Sequence, residues 1–109
     1  MVDEYRKQRI EGLKAMLEVD GDDGFALYGL ALEHKADGEL EAARPLLERL
    51  VIVDPTQLYG FYQLGEILMG LDESSQARIV LEEGLKRAVA AGESKAANEI
   101  QALLDDIWE

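Results

Sequence analysis

GFALYGLALEHKADGELEAARPLL, residues 24–47, and LYGFYQLGEILMGLDESSQARIVL, residues 58–81, are one pattern written twice at an offset of 34 residues. Leu30 falls on Leu64, Ala31 on Gly65, Gly38 on Asp72, Ala43 on Ala77 and Leu47 on Leu81. The register also reaches back to Leu13 and joins Asp20 to Asp54. A period of about 20–50 residues marks a stack of supersecondary units, none able to bury its apolar face alone. Apolar residues make up 48% of the chain and recur at helical spacing, with no period-two stretch long enough for a strand. The expected class is therefore all-α. Helices are predicted over about 3–19, 24–36, 39–53, 56–71, 73–91 and 93–108.

The breaks between them have local causes. Asp20-Gly21-Asp22-Asp23-Gly24 interrupts the first helix and supplies an N-cap for the next. Asp37-Gly38 ends the second helix, and Asp54-Pro55 ends the third because proline disfavours helix at the residue before it. Pro45 lies inside the third helix and lacks the N–H that would bond to Glu41, which predicts a bend or a loosened turn. Gly92 ends the fifth helix. In the last one Ala96, Ala97, Ile100, Leu103, Leu104 and Ile107 share a face, opposite Asn98, Gln101, Asp105 and Asp106. One apolar and one polar side suit the terminal cap of a stack.

Phe61, Leu64, Gly65, Leu68, Ala77 and Leu81 stand at the spacing W-x2-L-G-x2-Y…A-x3-F. Leu27, Leu30, Ala31, His34, Ala43 and Leu47 repeat it one unit earlier, closed by Pro55. On these residues the chain resembles a short tetratricopeptide repeat protein. Leu27 and Phe61 replace the Trp, His34 and Leu68 replace the Tyr, and the second unit lacks its Pro. The resemblance implies a right-handed α-solenoid of antiparallel helix pairs in one domain. Its parts are a half repeat at 1–21, repeats at 24–57 and 58–91, and a capping helix at 93–108. Ala31 or Gly65 is expected to meet Ala43 or Ala77 across each pair, with Leu30, Leu47, Leu64 and Leu81 filling the space around the contact. A large side chain there would overpack the pair.

Composition narrows the function. The 109 residues make one domain, with a net charge of −12 that opposes binding to nucleic acid or anionic lipid. No apolar run approaches a membrane span. Zero cysteines exclude a disulfide framework and a thiolate metal site. With an acidic start, Met1-Val2-Asp3-Glu4-Tyr5-Arg6, that lacks an apolar leader core, the expected location is cytoplasmic.

No catalytic set emerges. The aspartates at 20, 22 and 23 miss the calcium-loop order, since Phe25 and Ala31 stand where glycine and glutamate are required. His34, the single histidine, has no His or Cys partner and is expected as a packed, hydrogen-bonded interior imidazole. Glu82-Glu83 and Asp105-Asp106 are neighbours in sequence and do not face one another on a helix. There is no phosphate loop, dinucleotide fingerprint or nucleophile elbow. A non-enzymatic chain without cofactor or metal is expected.

A surface remains. The resemblance implies that the first helix of each unit lines a concave groove where peptides lie. The groove residues would be Phe25, Tyr28, Leu32 and Lys35, then Tyr59, Tyr62, Glu66 and Met69. They form a second stripe beside the core residues Leu27, Leu30 and His34, and a helix in water needs only one. Either this stripe takes a ligand or something covers it: a second copy, or the first helix. Tetratricopeptide domains that grip acidic chaperone tails use a clamp of Lys, Arg and Asn on these faces. Here Lys35 is the single basic residue among Tyr28, Leu32, Tyr62 and Glu66. The expected ligand is a neutral or basic protein segment with apolar anchors, bound by a monomer or weak homo-oligomer. The second reading is a self-associating scaffold unit.

Overall fold

Asp3 starts the first helix by accepting the Tyr5 N–H at 3.0 Å, and Asp23 starts the second by accepting the Ala26 N–H at 3.1 Å. The structure, a computed structural model, describes residues 3–107. Within them lie α1 (Glu4–Val19), α2 (Gly24–Ala36), α3 (Leu40–Val53), α4 (Leu58–Gly70), α5 (Ser74–Ala90) and α6 (Ser94–Asp105). Each helix packs on the next in chain order as antiparallel neighbours, and α4 also touches α6. The stack measures 39 × 27 × 20 Å.

Two kinds of turn alternate, and each repeats. Asp20 and Asp54 end α1 and α3 by donating their N–H groups to Met16 and Leu50. Their side chains then organise the loop: Asp20 accepts the Asp22 N–H at 2.9 Å, and Asp54 accepts the Thr56 hydroxyl at 2.5 Å. The acidic cluster before α2 is thus used up in turn and cap. The other turns each pass through a left-handed residue: Gly38 at φ 75°, Asp72 at φ 60° and Gly92 at φ 72°. In all three, the next residue donates back to the carbonyl five positions earlier, Glu39 to His34, Glu73 to Leu68 and Glu93 to Ala88, at 2.8–2.9 Å. This is the paired C-terminal cap of a helix, and glycine suits it because it has no Cβ to clash. Asp72 holds the same conformation with a side chain.

The helix pair α4–α5 closes on a gap. A Cβ on Gly65 would lie 2.3 Å from Leu81 Cδ2 and 2.5 Å from its Cγ. Leu81 is itself fully buried, so it cannot retreat. The residue that fills the small position is therefore Leu81, where the sequence pointed to Ala77. Gly84 admits Phe61 in the same way, with a notional Cβ at 2.5 Å from the Phe61 Cβ. Around these contacts one core runs from α2 to α6, through Leu27, Ala31, Leu47, Leu50, Leu64, Ile67, Leu68, Leu81 and Ile100. Pro45 does not interrupt α3. It and Glu41 both lie on the exposed side, so the missing backbone bond strands no buried group.

α1 joins through a smaller cluster of Leu13, Ala26 and Leu30, supported by Ile10, Leu17 and Leu46. Arg9 stands where α3 has the small Ala43, and Arg6 where α3 has Leu40. Both reach Glu33 on α2, each through Nε at 2.8 Å, and Arg6 also pairs with Asp37 at 2.9 Å. His34 is less enclosed than expected. Its side chain is 26% exposed, and Nδ1 sits 2.9 Å from Glu39 at the end of α2.

Three glycine-position substitutions test this packing by chemical denaturation. Gly65→Ala gains helix propensity but collides with Leu81, and a net loss of about 1–2 kcal/mol is expected. Gly12→Ala, on α1 with nothing within 4 Å of its notional Cβ, should gain about 0.5–1 kcal/mol. Asp72→Gly relieves the left-handed turn, and a gain of about 0.5 kcal/mol is expected. Equal midpoints for the two alanine variants would refute the close approach at Gly65.

Acid tests the α1 attachment. The Arg9 hydrogen bond, with help from Arg6 and against a burial effect, holds Glu33 below the usual carboxylate range. A depressed carboxylate contributes stability above its unfolded pKa of about 4.3 and loses it as pH falls through the lower folded value. Hydrogen-exchange protection of α1 should therefore drop before that of α4 on acidification below about pH 4. Glu33→Gln should leave α1 weakly protected already at neutral pH. Unchanged α1 protection in that variant would show that the arginine pair does not hold the helix.

Candidate protein-binding groove

The three sides of α2 have different neighbours. Ala26, Gly29, Leu30 and Glu33 meet α1, with Leu13 packed where a Gly29 Cβ would sit at 3.0 Å. Leu27 and Ala31 turn into the core shared with α3. Phe25, Tyr28, Leu32 and Lys35 form the third side, which α1 leaves uncovered. On α4, Gly60 takes Leu50 and Val51 of α3, while Phe61, Leu64, Gly65 and Leu68 are buried. Tyr59, Tyr62, Glu66 and Met69 again remain on the open side, each half-buried.

All eight residues singled out from the sequence therefore lie on one side of their helices, though they are not equally open. Phe25 is 74% exposed at the start of α2. Tyr28, Tyr59, Tyr62 and Met69 lay one edge on the core, so their rings serve the fold as well as the surface. Lys35 Nζ bonds Gln63 Oε1 at 2.7 Å and pairs with the Glu66 carboxylate, which ties α2 to α4 across the floor. The two charges read as separate groove features from the sequence largely cancel each other.

Tyr59 and Tyr62 meet edge to face, with ring centroids 6.0 Å apart and planes at 66°. Glu99 on α6 and Tyr28 on α2 lie near enough to Tyr59 to act on its hydroxyl. Burial first, then the nearby carboxylate of Glu99, raises the Tyr59 hydroxyl above its ordinary pKa. For Tyr62 the causes are burial, then Glu66, then Glu99. Both tyrosines are thus neutral donors at any physiological pH.

Sequence reasoning did not bring Glu99 near Tyr59 and Tyr62. α5 has 17 residues where α3 has 14, which shifts α6 by three against the 34-residue register. Glu99, not Ala96, consequently stands where Tyr62 stands on α4. Beside Tyr59 a cleft of about 850 Å³ opens at the groove's end, lined by Pro55, Thr56, Leu58, Arg87, Ala90 and Lys95 among others. Arg87 is turned toward Glu83 at 2.7 Å and over the Phe61 ring at 5.8 Å. Trp108, the remaining large aromatic of the C-terminal region, lies outside the described residues. Among the described residues no group of three His, Cys, Asp or Glu could hold a metal ion, and no helix is long and apolar enough to cross a membrane.

Paired helices with small residues at their crossings and an open side on alternate helices define a helical repeat domain. Solved structures narrow the class further. A tetratricopeptide repeat domain protein of Salinibacter ruber is 32% identical over 75% of this chain and 92% of its own, with a TM-score of 0.70. A protein of Bordetella parapertussis is 28% identical over 90% of this chain and 85% of its own, at a TM-score of 0.76. The type III secretion translocator chaperone SycD of Yersinia enterocolitica superposes at 0.85 over 94% of this chain and 72% of its own, at 16% identity, which is likeness of fold. No protein-family profile and no curated protein matches the chain. At that identity and coverage to the Salinibacter domain, the chain belongs to the tetratricopeptide repeat family. Such domains are in general protein–protein interaction modules and typically non-enzymatic.

Proposed function

We propose that this chain is an adaptor that takes a segment of a partner protein into the groove of α2 and α4, bounded by α6. One observation carries the reading. The stripe of Phe25, Tyr28, Leu32, Tyr59, Tyr62 and Met69 runs along one side of α2 and α4, with Phe25 exposed and the others half-buried. Aromatics and Met give adaptable contact area at low entropic cost, which suits an extended segment better than a fixed small molecule. The presence of a chaperone among the fold neighbours supports protein as the ligand class. With a net charge of −12 and Lys35 engaged by Glu66, the groove favours neutral or basic segments and disfavours acidic tails.

A second reading, self-association, is favoured by exposed apolar residues at one end of the stack. Val19, Phe25, Ile52 and Val89 are each more than half exposed near the turns that join α1 to α2, α3 to α4 and α5 to α6. Sedimentation across a concentration series separates the two readings, since an adaptor stays monomeric at high concentration.

Phe25→Ala combined with Leu32→Ala tests the groove. Neither side chain belongs to a core cluster, so the melt should move little. Loss of a partner captured from source-cell lysate is expected, on the order of 2 kcal/mol for each true hot spot. Undiminished capture by the folded double variant would place binding on another surface.

A further inference from the structure

α5 is longer than the helix it pairs with. It has 17 residues against 13 in its antiparallel neighbour α4, so it projects past the start of α4 by about 6 Å. α2 and α3, with 13 and 14 residues, end nearly level. The overrun sets α6 back from the first turn of α4 and opens the cleft of about 850 Å³ beside Tyr59. That volume is in the range of sites that enclose a whole small ligand, so it has room for two adjoining side chains. Pro55, Leu58, Ala90, Ala91 and Ala96 give it apolar walls, and Tyr59 is shared with the stripe of the groove. Its charges are Arg87, Lys95 and Glu93. Arg6, Arg9, Lys35, Arg44 and Arg49 each bind an acid on another element, and among the described residues neither cation of the cleft does. Arg87 lies over Phe61 and engages only Nε, with Glu83 of its own helix at 2.7 Å, which leaves its Nη groups uncommitted among the described residues. Lys95, exposed in the first turn of α6, has no hydrogen bond or ion pair among the described residues. Glu93 is the single acid of the lining, and Glu99, one turn beyond Lys95, stands outside it. With 23 acidic residues against 11 basic, two such cations on one apolar cleft are an exception.

Resting on the groove reading above, we propose that this cleft takes an apolar side chain of the partner segment together with the carboxylate of an acidic residue next to it. The apolar group lies against Pro55, Leu58 and Ala90, and the carboxylate is received by Lys95 and the Nη groups of Arg87. An ion pair at an apolar cleft is screened less than one on open surface, and a guanidinium can present two donors to one carboxylate. Glu93 opposes that carboxylate, one charge against the two of Arg87 and Lys95. One turn along α6 the charge changes sign at Glu99, so the rest of the segment is neutral or basic, in keeping with the groove. The acid thereby fixes the register of the segment along the stripe.

The test uses the full chain and three capped peptides, the methylamides of acetyl-Glu-Leu-Glu, acetyl-Gln-Leu-Gln and acetyl-Glu-Gly-Glu. Acids on both sides of the leucine make the result independent of their order. Each peptide is titrated at physiological ionic strength, where screening over about 8 Å limits the influence of the chain's net charge, while backbone resonances are followed. Saturable shifts at Leu58, Ala90, Ala91 and Lys95 are expected with the first peptide, and affinity about threefold or more weaker with each of the others. Lys95→Gln should weaken the first peptide by about threefold, and Glu93→Gln should tighten it. Both side chains are exposed and make no bond among the described residues, so neither variant disturbs the fold. Ala90→Leu, also at an exposed position, fills the cleft and should abolish the shifts. Equal affinity for the first two peptides, equal affinity for the glycine peptide, no saturation, or indifference to Lys95→Gln would each overturn the proposal. If it fails while capture still depends on Phe25 and Leu32, the groove stands with apolar anchors only. Capture indifferent to Phe25 and Leu32 removes the groove reading, and saturable binding of the first peptide would then leave the cleft as a separate site.

Discussion

The insertion of Leu81 into the space that Gly65 leaves empty fixes the distance and rotation between α4 and α5. A notional Cβ at 2.3 Å leaves no slack, and a close-packed interior transmits such a constraint instead of absorbing it. With Gly65, Leu68 and Phe61 turned inward, the helical period leaves Tyr59, Tyr62, Glu66 and Met69 on the adjoining, half-buried side. α2 obeys the same phase through Ala31 and Leu27, so its own stripe lines up beside that of α4. The side of α2 and α4 proposed as a groove is thus a consequence of the interior: the residues that set the crossing also decide which side chains face out.

Junctions between the helix pairs combine this packing with charge. Arg6 and Arg9 reach Glu33, Arg49 reaches Asp22, Lys35 reaches Glu66, and Arg44 reaches Glu73 with Nη2 at 3.2 Å from Oε1. Several of these groups are half-exposed, and single pairs of that kind contribute little, about 0–1 kcal/mol. Their role is better understood as register. Each joins one helix to another element 24–31 residues away, and a slipped stack would leave its acidic partners facing one another. In a chain with 23 acidic and 11 basic residues, Arg6, Arg9, Arg44 and Arg49 are committed in this way.

The period of 34 residues made the fold legible because each turn repeats its chemistry, Asp20 with Asp54 and Gly38 with Asp72. The resemblance supplied the eight positions of the proposed groove, and the same period puts them on one side of α2 and α4. What could not be read was reach. Lys35 and Glu66 lie 31 residues apart and cancel each other only because α2 and α4 lie side by side. Glu99 was hidden for a different reason: the extra turn of α5 breaks the period, and a register carried forward unchanged lands on the buried Ala96. The Gly65–Leu81 contact was approximated by small residues facing one another, since spacing alone shows that room is needed but not which side chain takes it.

The tyrosines carry the remaining tension between stability and binding. A surface of wholly exposed aromatics would invite aggregation, and wholly buried ones would offer nothing to a partner. Tyr28, Tyr59 and Tyr62 lie between these limits, with one edge on the core and the other toward the groove. The core edge restricts their rotation, so the proposed partner segment would meet rings already in place and lose less ordering entropy on binding. The Tyr59 and Tyr62 hydroxyls stay protonated, because burial and a nearby carboxylate, Glu99 for Tyr59 and Glu66 then Glu99 for Tyr62, disfavour the phenolate. A phenolate beside Glu99 would repel it, whereas the neutral hydroxyl of Tyr59 does not. Phe25 lacks both a hydroxyl and a core edge, and at 74% exposure it is the one member of the stripe that contributes to the fold almost nothing that a smaller residue could not. Packing gives no reason for a phenylalanine at that position, and the proposed uptake of a partner segment would give one.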